Sequence, residues 1–388
     1  MRRLGVLLVT GAALLGLSNC GTGFKLPAEV KRQVVVGNGT YERVATWTGF
    51  ERVQDLLLTK AVVASNAQLY ALFRTEPGFP GTVLAYPLST PAPFSFRYNG
   101  LQHPAALCGD ATRLFVLDQG DTCAARSNPA TGRCDTTGNY LLPSGSKWTN
   151  KVAYLDRYWR VREYFPDGGD TISTFTDTTL AWVQGIAVDD LQRLYVSGLF
   201  ILVTQNPNNP FLYERRFAWR IHRFVRGGGD PNMPGCNWRR DTGYEVTEGS
   251  GLGTAEDPRG LDWSPADGGG LFITDTGNNR AQRRSDPPSS ADYLMLDVDV
   301  AALNSPRDIS ADLAGFSYVV DGGTNGVYRF RRAEDGGVSA GQFVQRVDIE
   351  PSAAGTSLLQ PGAVAADNDF VYVADVAAGE VAVYRRRR

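Results

Sequence analysis

The sequence predicts an all-β protein whose 388 residues form a six-bladed β-propeller. Glycine occurs 43 times and proline 21 times, which is typical of many short strands joined by turns. A pattern of opening segment, second strand, turn and third strand recurs along the chain. Three or four antiparallel strands cannot bury both faces alone, whereas stacking the repeats around an axis buries them.

Three copies of the repeat in the second half of the chain are well defined. They open at Pro258, Pro306 and Pro361. In each copy, the aromatic residue of the second strand precedes the first residue of the third strand by nine positions: Phe272 and Ala281, Tyr318 and Val327, Tyr372 and Val381. The segments are short and rich in β-branched or aromatic residues, which favours strands. The Gly and Asn between them tolerate the positive φ of tight reversals.

Three weaker copies lie upstream. Their opening segments are Ala61–Ala64, Pro104–Leu107 and Gln184–Val188. Their second and third strands are predicted at Tyr70–Phe73 with Val83–Tyr86, Phe115–Asp118 with Val152–Leu155, and Tyr195–Gly198 with Ile221–Phe224. The last repeat ends near Tyr384 with only three strands, so we expect Tyr41–Thr48 to pair with it and close the ring.

One repeat carries a specific family resemblance. The run from Phe272 to Arg280, Phe-Ile-Thr-Asp-Thr-Gly-Asn-Asn-Arg, resembles the hallmark strand and turn of NHL repeats, and Pro258–Leu261 resembles their opening strand. The resemblance implies a six-bladed propeller that binds protein, RNA or carbohydrate. Some six-bladed relatives are calcium-dependent lactonases or arylesterases, so calcium is the cofactor that the resemblance implies for an enzyme; otherwise no cofactor is expected.

The N-terminus has the features of an export signal. Arg2 and Arg3 precede the apolar stretch Leu4–Leu17, which is too short for a comfortable membrane span. Leu17–Cys20 resembles the lipobox of bacterial lipoproteins, in which the cysteine becomes lipidated. We therefore predict three regions: a signal peptide over 1–19, the lipidated Cys20 with a linker over 20–38, and the propeller over 39–388. Gly21 carries no strong inner-membrane retention signal, so the outer membrane is the expected location.

Four cysteines remain after Cys20, an even number that suggests disulfides in an exported protein. Cys123 and Cys134 bracket one short polar loop and form the favoured pair. Cys108 with Cys236 follows by elimination, with a buried thiol at Cys108 as the alternative.

Recurrent aspartates follow the second strand of four repeats: Asp118, Asp275, Asp321 and Asp375. We expect each of them to accept hydrogen bonds from its own turn or from the next blade, although a ring of carboxylates around a cation is an alternative. A separate set is predicted near the mouth of the central channel: His103, Asp262, Asp308 and Asp367. Only two histidines occur, which excludes a three-histidine zinc site, and no metal ligands are assigned.

The formal net charge of −2 gives no reason to expect nucleic acid as a partner. The leading hypothesis is a monomeric, lipid-anchored propeller that binds an envelope protein or glycan without catalysis, its membrane contact being the lipid alone. The alternative is a metal-dependent hydrolase or lyase, of the calcium-dependent lactonase or esterase type, with its site at the channel mouth.

Overall fold

A computed structural model describes most of the second unit of the chain, which spans residues 37–388. The described residues are 41–59, 68–88, 95–109, 113–119, 126–127, 134–135, 147–148, 159–164, 170–176, 180–226, 238–286, 292–295, 303–331, 343–347 and 358–387. Apart from two single-turn 3-10 helices, Ala266–Gly268 and Thr276–Asn278, the regular structure in these ranges is strand. None of the helices in these ranges has the length and apolarity to cross a membrane.

The strands are numbered in chain order and fall into sheets. The N-terminal strand is β1 (Tyr41–Thr48). Sheet 1 has the order β2 (Val53–Leu58), β3 (Gln68–Phe73), β4 (Gly81–Pro87), β5 (Ser95–Leu101). Sheet 2 begins with β6 (His103–Gly109) and β7 (Leu114–Gln119). The short strands β8 (Arg126–Ser127) and β9 (Cys134–Asp135) pair only with each other. The strand β10 (Lys147–Trp148) follows, and sheet 2 is completed by β11 (Trp159–Tyr164) and β12 (Asp170–Thr176).

Sheet 3 contains β13 (Leu180–Val188), β14 (Leu194–Asn206), β15 (Asn209–Arg226) and β16 (Trp238–Thr247), with β10 added in parallel to β15. Sheet 4 contains β17 (Pro258–Ser264), β18 (Gly270–Asp275), β19 (Arg280–Arg284) and β20 (Tyr293–Met295). Sheet 5 contains β21 (Pro306–Ala311), β22 (Ser317–Asp321), β23 (Gly326–Phe330) and β24 (Phe343–Arg346). Sheet 6 contains β25 (Pro361–Ala366), β26 (Phe370–Asp375), β27 (Glu380–Arg386) and β1.

The inner strands of the sheets close a ring. These strands, β2, β6, β13, β17, β21 and β25, each contact the next in that order, and β25 returns to β2. Each hydrophobic core cluster combines residues of two neighbouring sheets. Strand alternation explains this: on β6, Leu107 packs towards sheet 1, whereas Ala106 and Cys108 pack towards sheet 3. The prediction of an all-β propeller is confirmed.

The ring is closed by the N-terminal strand, as predicted. Residues 41–48 pair antiparallel with β27, from Tyr41 opposite Arg386 to Thr48 opposite Glu380. Trp47 is buried between the first and last sheets, with its ring centroid 6.1 Å from that of Tyr86 and 5.8 Å from that of Tyr372. The strand therefore joins the two ends of the propeller by hydrogen bonds and by packing.

Three details of the sequence prediction are corrected. The chain forms five regular four-stranded blades rather than the six blades predicted, because the remaining sheet of the ring, sheet 3, is a larger sheet of five strands. The inner strand of the first repeat is Val53–Leu58 rather than 61–64, which lie outside the described residues. The third strand of sheet 2 is Trp159–Tyr164 rather than 152–155, also outside them. The long insertion that precedes β11 hid the register in that repeat.

The predicted N-terminal features lie outside the described residues. The signal peptide over 1–19, the lipidation site Cys20 and the linker over 20–38 therefore remain predictions. The same holds for the disulfides: Cys123 and Cys236 are outside the described ranges, and only the backbone of Cys134 is within them. Cys108 is buried in the core between sheets 2 and 3. No disulfide is seen within the ranges given above.

Candidate functional site

The axis of the propeller contains a cavity of about 420 Å³. All the inner strands contribute to its wall, each with three to six residues. Polar side chains in the wall come mainly from sheets 1, 4 and 5, while Leu56, Leu107, Ile186, Ile309 and Val364 supply apolar surface. Concave sites of this size are where small ligands bind. We therefore treat this channel as the candidate functional site.

The inner strands run in the same direction around the channel. Asp308 Oδ2 on β21 accepts the Val364 N–H of β25 at 2.8 Å, and Ser310 Oγ accepts the Ala366 N–H at 3.1 Å. The two bonds advance by two residues on both strands, so β21 and β25 are parallel. Equivalent residues of the repeats therefore reach the same height in the channel.

Three carboxylates from three sheets line the channel: Asp55, Asp262 and Asp308. Asp55 Oδ1 accepts the Leu56 N–H, and its Oδ2 accepts the Leu107 N–H of the next inner strand, both at 2.8 Å. Asp262 repeats this arrangement with the N–H groups of Trp263 and Ala311, both at 2.7 Å. Each of the three carboxylates thus bridges its own inner strand to the following one.

The surroundings of Asp55 and Asp308 favour the protonated forms of these two carboxyl groups. Burial raises the pKa of Asp55 to about 7, against the lowering effect of the Leu107 and Leu56 N–H groups, and the charge of Asp262 raises it further. Burial and then the charge of Asp55 raise the pKa of Asp308 well above its ordinary value. Asp55 and Asp308 therefore interact electrostatically, and the negative charge of one disfavours ionisation of the other.

Two glycines let neighbouring inner strands approach closely beside these carboxylates. A Cβ on Gly260 would lie 2.6 Å from the Asp308 Cα and 2.8 Å from the Ile309 N. A Cβ on Gly185 would fall on the carbonyl oxygen of Arg259. Such contacts leave no room for a side chain, so the ring is narrow at this level.

One opening of the channel is rich in arginine and glutamine. The residues at the N-terminal ends of the inner strands and in the adjoining loops are Gln54, Arg74, Gln184, Arg259, Arg307 and Gln360. Asp257 organises part of this rim: its Oδ2 accepts both the Nε and Nη2 of Arg259 at 3.1 and 2.9 Å, and its Oδ1 accepts the Gln184 Nε2 at 3.1 Å. Asp257 has a φ of 47°, in the left-handed region.

The structure places two of the four predicted mouth residues in the channel wall, Asp262 and Asp308. Asp367 is instead at the far end of its inner strand, where its Oδ1 accepts the N–H groups of Asp369 at 2.8 Å and Phe370 at 2.7 Å. Its position is that of a turn cap, because it follows the last residue of β25. His103 is exposed at the start of β6 and is not among the residues that line the cavity, so of the four candidates the structure brings Asp262 and Asp308 together there.

Sequence reasoning missed Asp55 because it placed the first inner strand too late in the chain. A signal was present: Gln54-Asp55-Leu56 has the same order of polar, acidic and aliphatic residue as Arg307-Asp308-Ile309. Aligning the first repeat on that triplet puts Asp55 at the position of Asp308.

The four recurrent turn aspartates hold the loops that enter β6, β17, β21 and β25. Asp275 shows the fullest set: its Oδ1 accepts the Glu256 N–H at 2.7 Å and the Asn278 Nδ2 at 2.8 Å, and its Oδ2 accepts the Arg280 Nε at 2.7 Å. The other three accept backbone N–H groups in the same way: Asp118 from Gln102 and His103, Asp321 from Asn304, and Asp375 from Leu359 and Gln360. These contacts are those of a structural role.

A calcium ion requires six to eight oxygen ligands around one point. In the described part of the chain, no group of three or more His, Cys, Asp or Glu side chains is arranged to hold a metal ion. The channel carboxylates point instead at backbone N–H groups of neighbouring strands. The donor set in the channel therefore does not fit a calcium site.

Comparisons with known proteins found similar solved structures but no family. No protein-family model and no curated protein matches the chain, so the NHL resemblance remains an expectation from the residues quoted above. Similar solved structures include virginiamycin B lyase from Staphylococcus aureus, at 11% identity over 89% of this chain and 99% of that chain, with a TM-score of 0.42. Its catalytically inactive variant with quinupristin gives the same values. A protein provisionally described as a gluconolactonase is 12% identical over 90% of this chain and 92% of that chain, with a TM-score of 0.46.

Proposed function

We propose that the chain is a hydrolase or lyase acting on a small molecule in the axial channel. The observation that carries this proposal is the meeting of Asp55 and Asp308, from different sheets, in one cavity with raised pKa values. A carboxyl group whose pKa lies near neutral pH serves well as a general acid or base. The turn aspartates outside the channel stabilise the loops of the blades, whereas Asp55 and Asp308 interact with each other within the cavity.

The pair supports a balanced proton cycle. The ionised member accepts a proton from water as the water oxygen bonds to the acyl carbon of a lactone or ester. The protonated member gives its proton to the leaving oxygen as the carbon–oxygen bond breaks. In an elimination, the ionised member takes the proton from carbon and the other protonates the departing oxygen. Either cycle leaves the pair with one proton, ready for the next turnover.

The experiment is a panel of lactones, esters and elimination substrates assayed with the full-length protein, with calcium and with a chelator. Replacing Asp55 or Asp308 by Asn is expected to lower kcat by about 100-fold or more, which is the usual contribution of a positioned acid or base. The matched control is Asp312→Asn, which removes another buried carboxyl with a raised pKa that caps a turn outside the cavity. Equal activity of Asp55→Asn, Asp308→Asn and Asp312→Asn would contradict the proposal.

A second candidate is the lipid-anchored binding module for an envelope protein or glycan. The observation that favours it is that all three channel carboxylates already bridge neighbouring inner strands. On this hypothesis they only stabilise the ring, and a partner binds elsewhere. Capture of one stoichiometric partner from envelope extract, by a protein that turns over nothing in the panel, would favour this candidate.

A further inference from the structure

The rim of the channel combines positive charge and amide donors from separate parts of the chain. Its arginines come from sheets 1, 4 and 5, and its glutamines from sheets 1 and 3 and from the loop before β25. Two of the arginines have acidic partners: Arg74 lies 3.1 Å from Glu76, and Arg259 lies 2.9 Å from Asp257. The side chain of Arg307, in contrast, has no hydrogen-bond or ion-pair partner within the part of the chain that the structure describes.

The position of Arg307 depends on a glycine. A Cβ on Gly322 would lie 2.8 Å from the Arg307 Cζ and 2.9 Å from its Cδ. The side chain of Arg307 therefore packs directly against the backbone of Gly322. Gly322 has an ordinary φ, because it is not among the residues of the left-handed region. A methyl group there is therefore expected to move the flexible arginine rather than to strain the backbone.

The carboxyl groups of Asp55 and Asp308 do not fully neutralise the positive charge of Arg307. Asp55 and Asp308 follow Gln54 and Arg307 directly, and burial raises the pKa of both carboxyls. The raised pKa values favour the neutral forms, which attract the arginine less and repel an incoming anion less. The rim is consequently a cationic opening above a weakly charged cavity.

We propose that this rim binds the oxyanion of a small ligand, a carboxylate or a phosphate, with Arg307 as its direct contact. The guanidinium offers a fork of donors that matches such groups, and the amides of Gln54 and Gln360 add neutral donors. Asp257 is a positioning residue, because it holds Arg259 and Gln184 at the same rim. The inference rests on the channel being the functional site and names its substrate class as anionic.

The test measures binding without turnover. Succinate and inorganic phosphate are titrated into the full-length protein at constant ionic strength by calorimetry, with choline chloride and glycerol as cationic and neutral comparators. We expect the anions to bind and the comparators not to. Arg307→Gln is expected to weaken anion binding by about 10-fold or more, as for loss of a charge-assisted hydrogen bond. The matched control, Arg385→Gln, removes the same charge at an exposed ion pair with Glu42 and should leave binding unchanged.

Gly322→Ala separates position from charge, because it retains Arg307 and displaces it. We expect it to weaken anion binding in the same direction, while the melting temperature of the unliganded protein stays near that of the wild type. Equal anion affinity in the wild type and Arg307→Gln, with both proteins folded, would overturn the inference. Because the readout is binding, that result leaves the acid–base proposal standing, and failure of every turnover assay leaves the anion site standing. The two titrants distinguish a carboxylate from a phosphate site.

Discussion

Replacing Asp55 by Asn should change the pH dependence of stability in a specific way. In the folded protein, burial raises the pKa of Asp55 from 3.8 to about 7, whereas the unfolded chain ionises near the ordinary value. The folded state thus favours the protonated form. The stability from this group is fully present below about pH 4 and is lost as the pH rises through about 7.

The magnitude follows from the two hydrogen bonds and the pKa. Each unit of raised pKa corresponds to about 1.4 kcal/mol, so ionising Asp55 costs the folded state at most about 4 kcal/mol. An amide in its place has one acceptor atom and loses one of the two bonds to the Leu56 and Leu107 N–H groups, at about 1 kcal/mol. The variant is therefore expected to be less stable than the wild type below about pH 4 and more stable by about 1–3 kcal/mol near pH 8.5.

The assay is chemical denaturation of both proteins across this pH range, followed by tryptophan fluorescence. Only the difference between them is diagnostic, because burial also raises the pKa of Asp312 to about 6 and lowers that of His222 to about 3, which act in opposite directions. Asp308→Asn should give the same sign, and the double variant should be non-additive because the two charges interact. A difference that does not vary with pH would refute the reasoning.

Other predictions concern the ring itself. Asp275→Ala leaves a buried arginine unpaired and should reduce the free energy of unfolding by about 3–5 kcal/mol, whereas Glu76→Ala, at an exposed pair, should change it by less than about 1 kcal/mol. Trp47→Ala should reduce the free energy of unfolding by about 3–5 kcal/mol in denaturant unfolding, because it leaves a cavity between the first and last sheets. Val44→Ala, on the exposed side of the same strand, should change it little. Gly260→Ala should lower the melting temperature strongly, since its Cβ would overlap the backbone of the neighbouring inner strand.

Much of the fold can be predicted because local sequence patterns specify its strands and turns. The three repeats that open at Pro258, Pro306 and Pro361 correspond to sheets 4 to 6, and Tyr41–Thr48 closes the ring as expected. The first repeat was misplaced because its inner strand has no proline and no Gly-Asn turn to mark the register. A short apolar run predicts a strand but does not identify its place in the repeat. Periodicity alone therefore does not distinguish 53–58 from 61–64 as the inner strand.

The site was less predictable, for a physical reason. Asp308 lies within an inner strand and lines the channel, whereas Asp367 follows the end of an inner strand and caps a turn. Asp55 is harder to recognise, because its proposed role depends on Asp308. That residue lies more than 250 positions further along the chain and comes close only in the folded protein.

The sequence by itself determined the strands, their turns and the closing strand, because residue type, two-residue alternation and the Gly, Asn and Asp positions act over a few neighbours. Only the tertiary structure decided that Asp55, Asp308 and Arg307 share one cavity. Parallel inner strands bring equivalent residues to one height, and whether a side chain faces a core or the channel depends on a register that a one-residue slip reverses. The raised pKa values follow from that meeting, since burial and a nearby like charge exist only after the ring has closed.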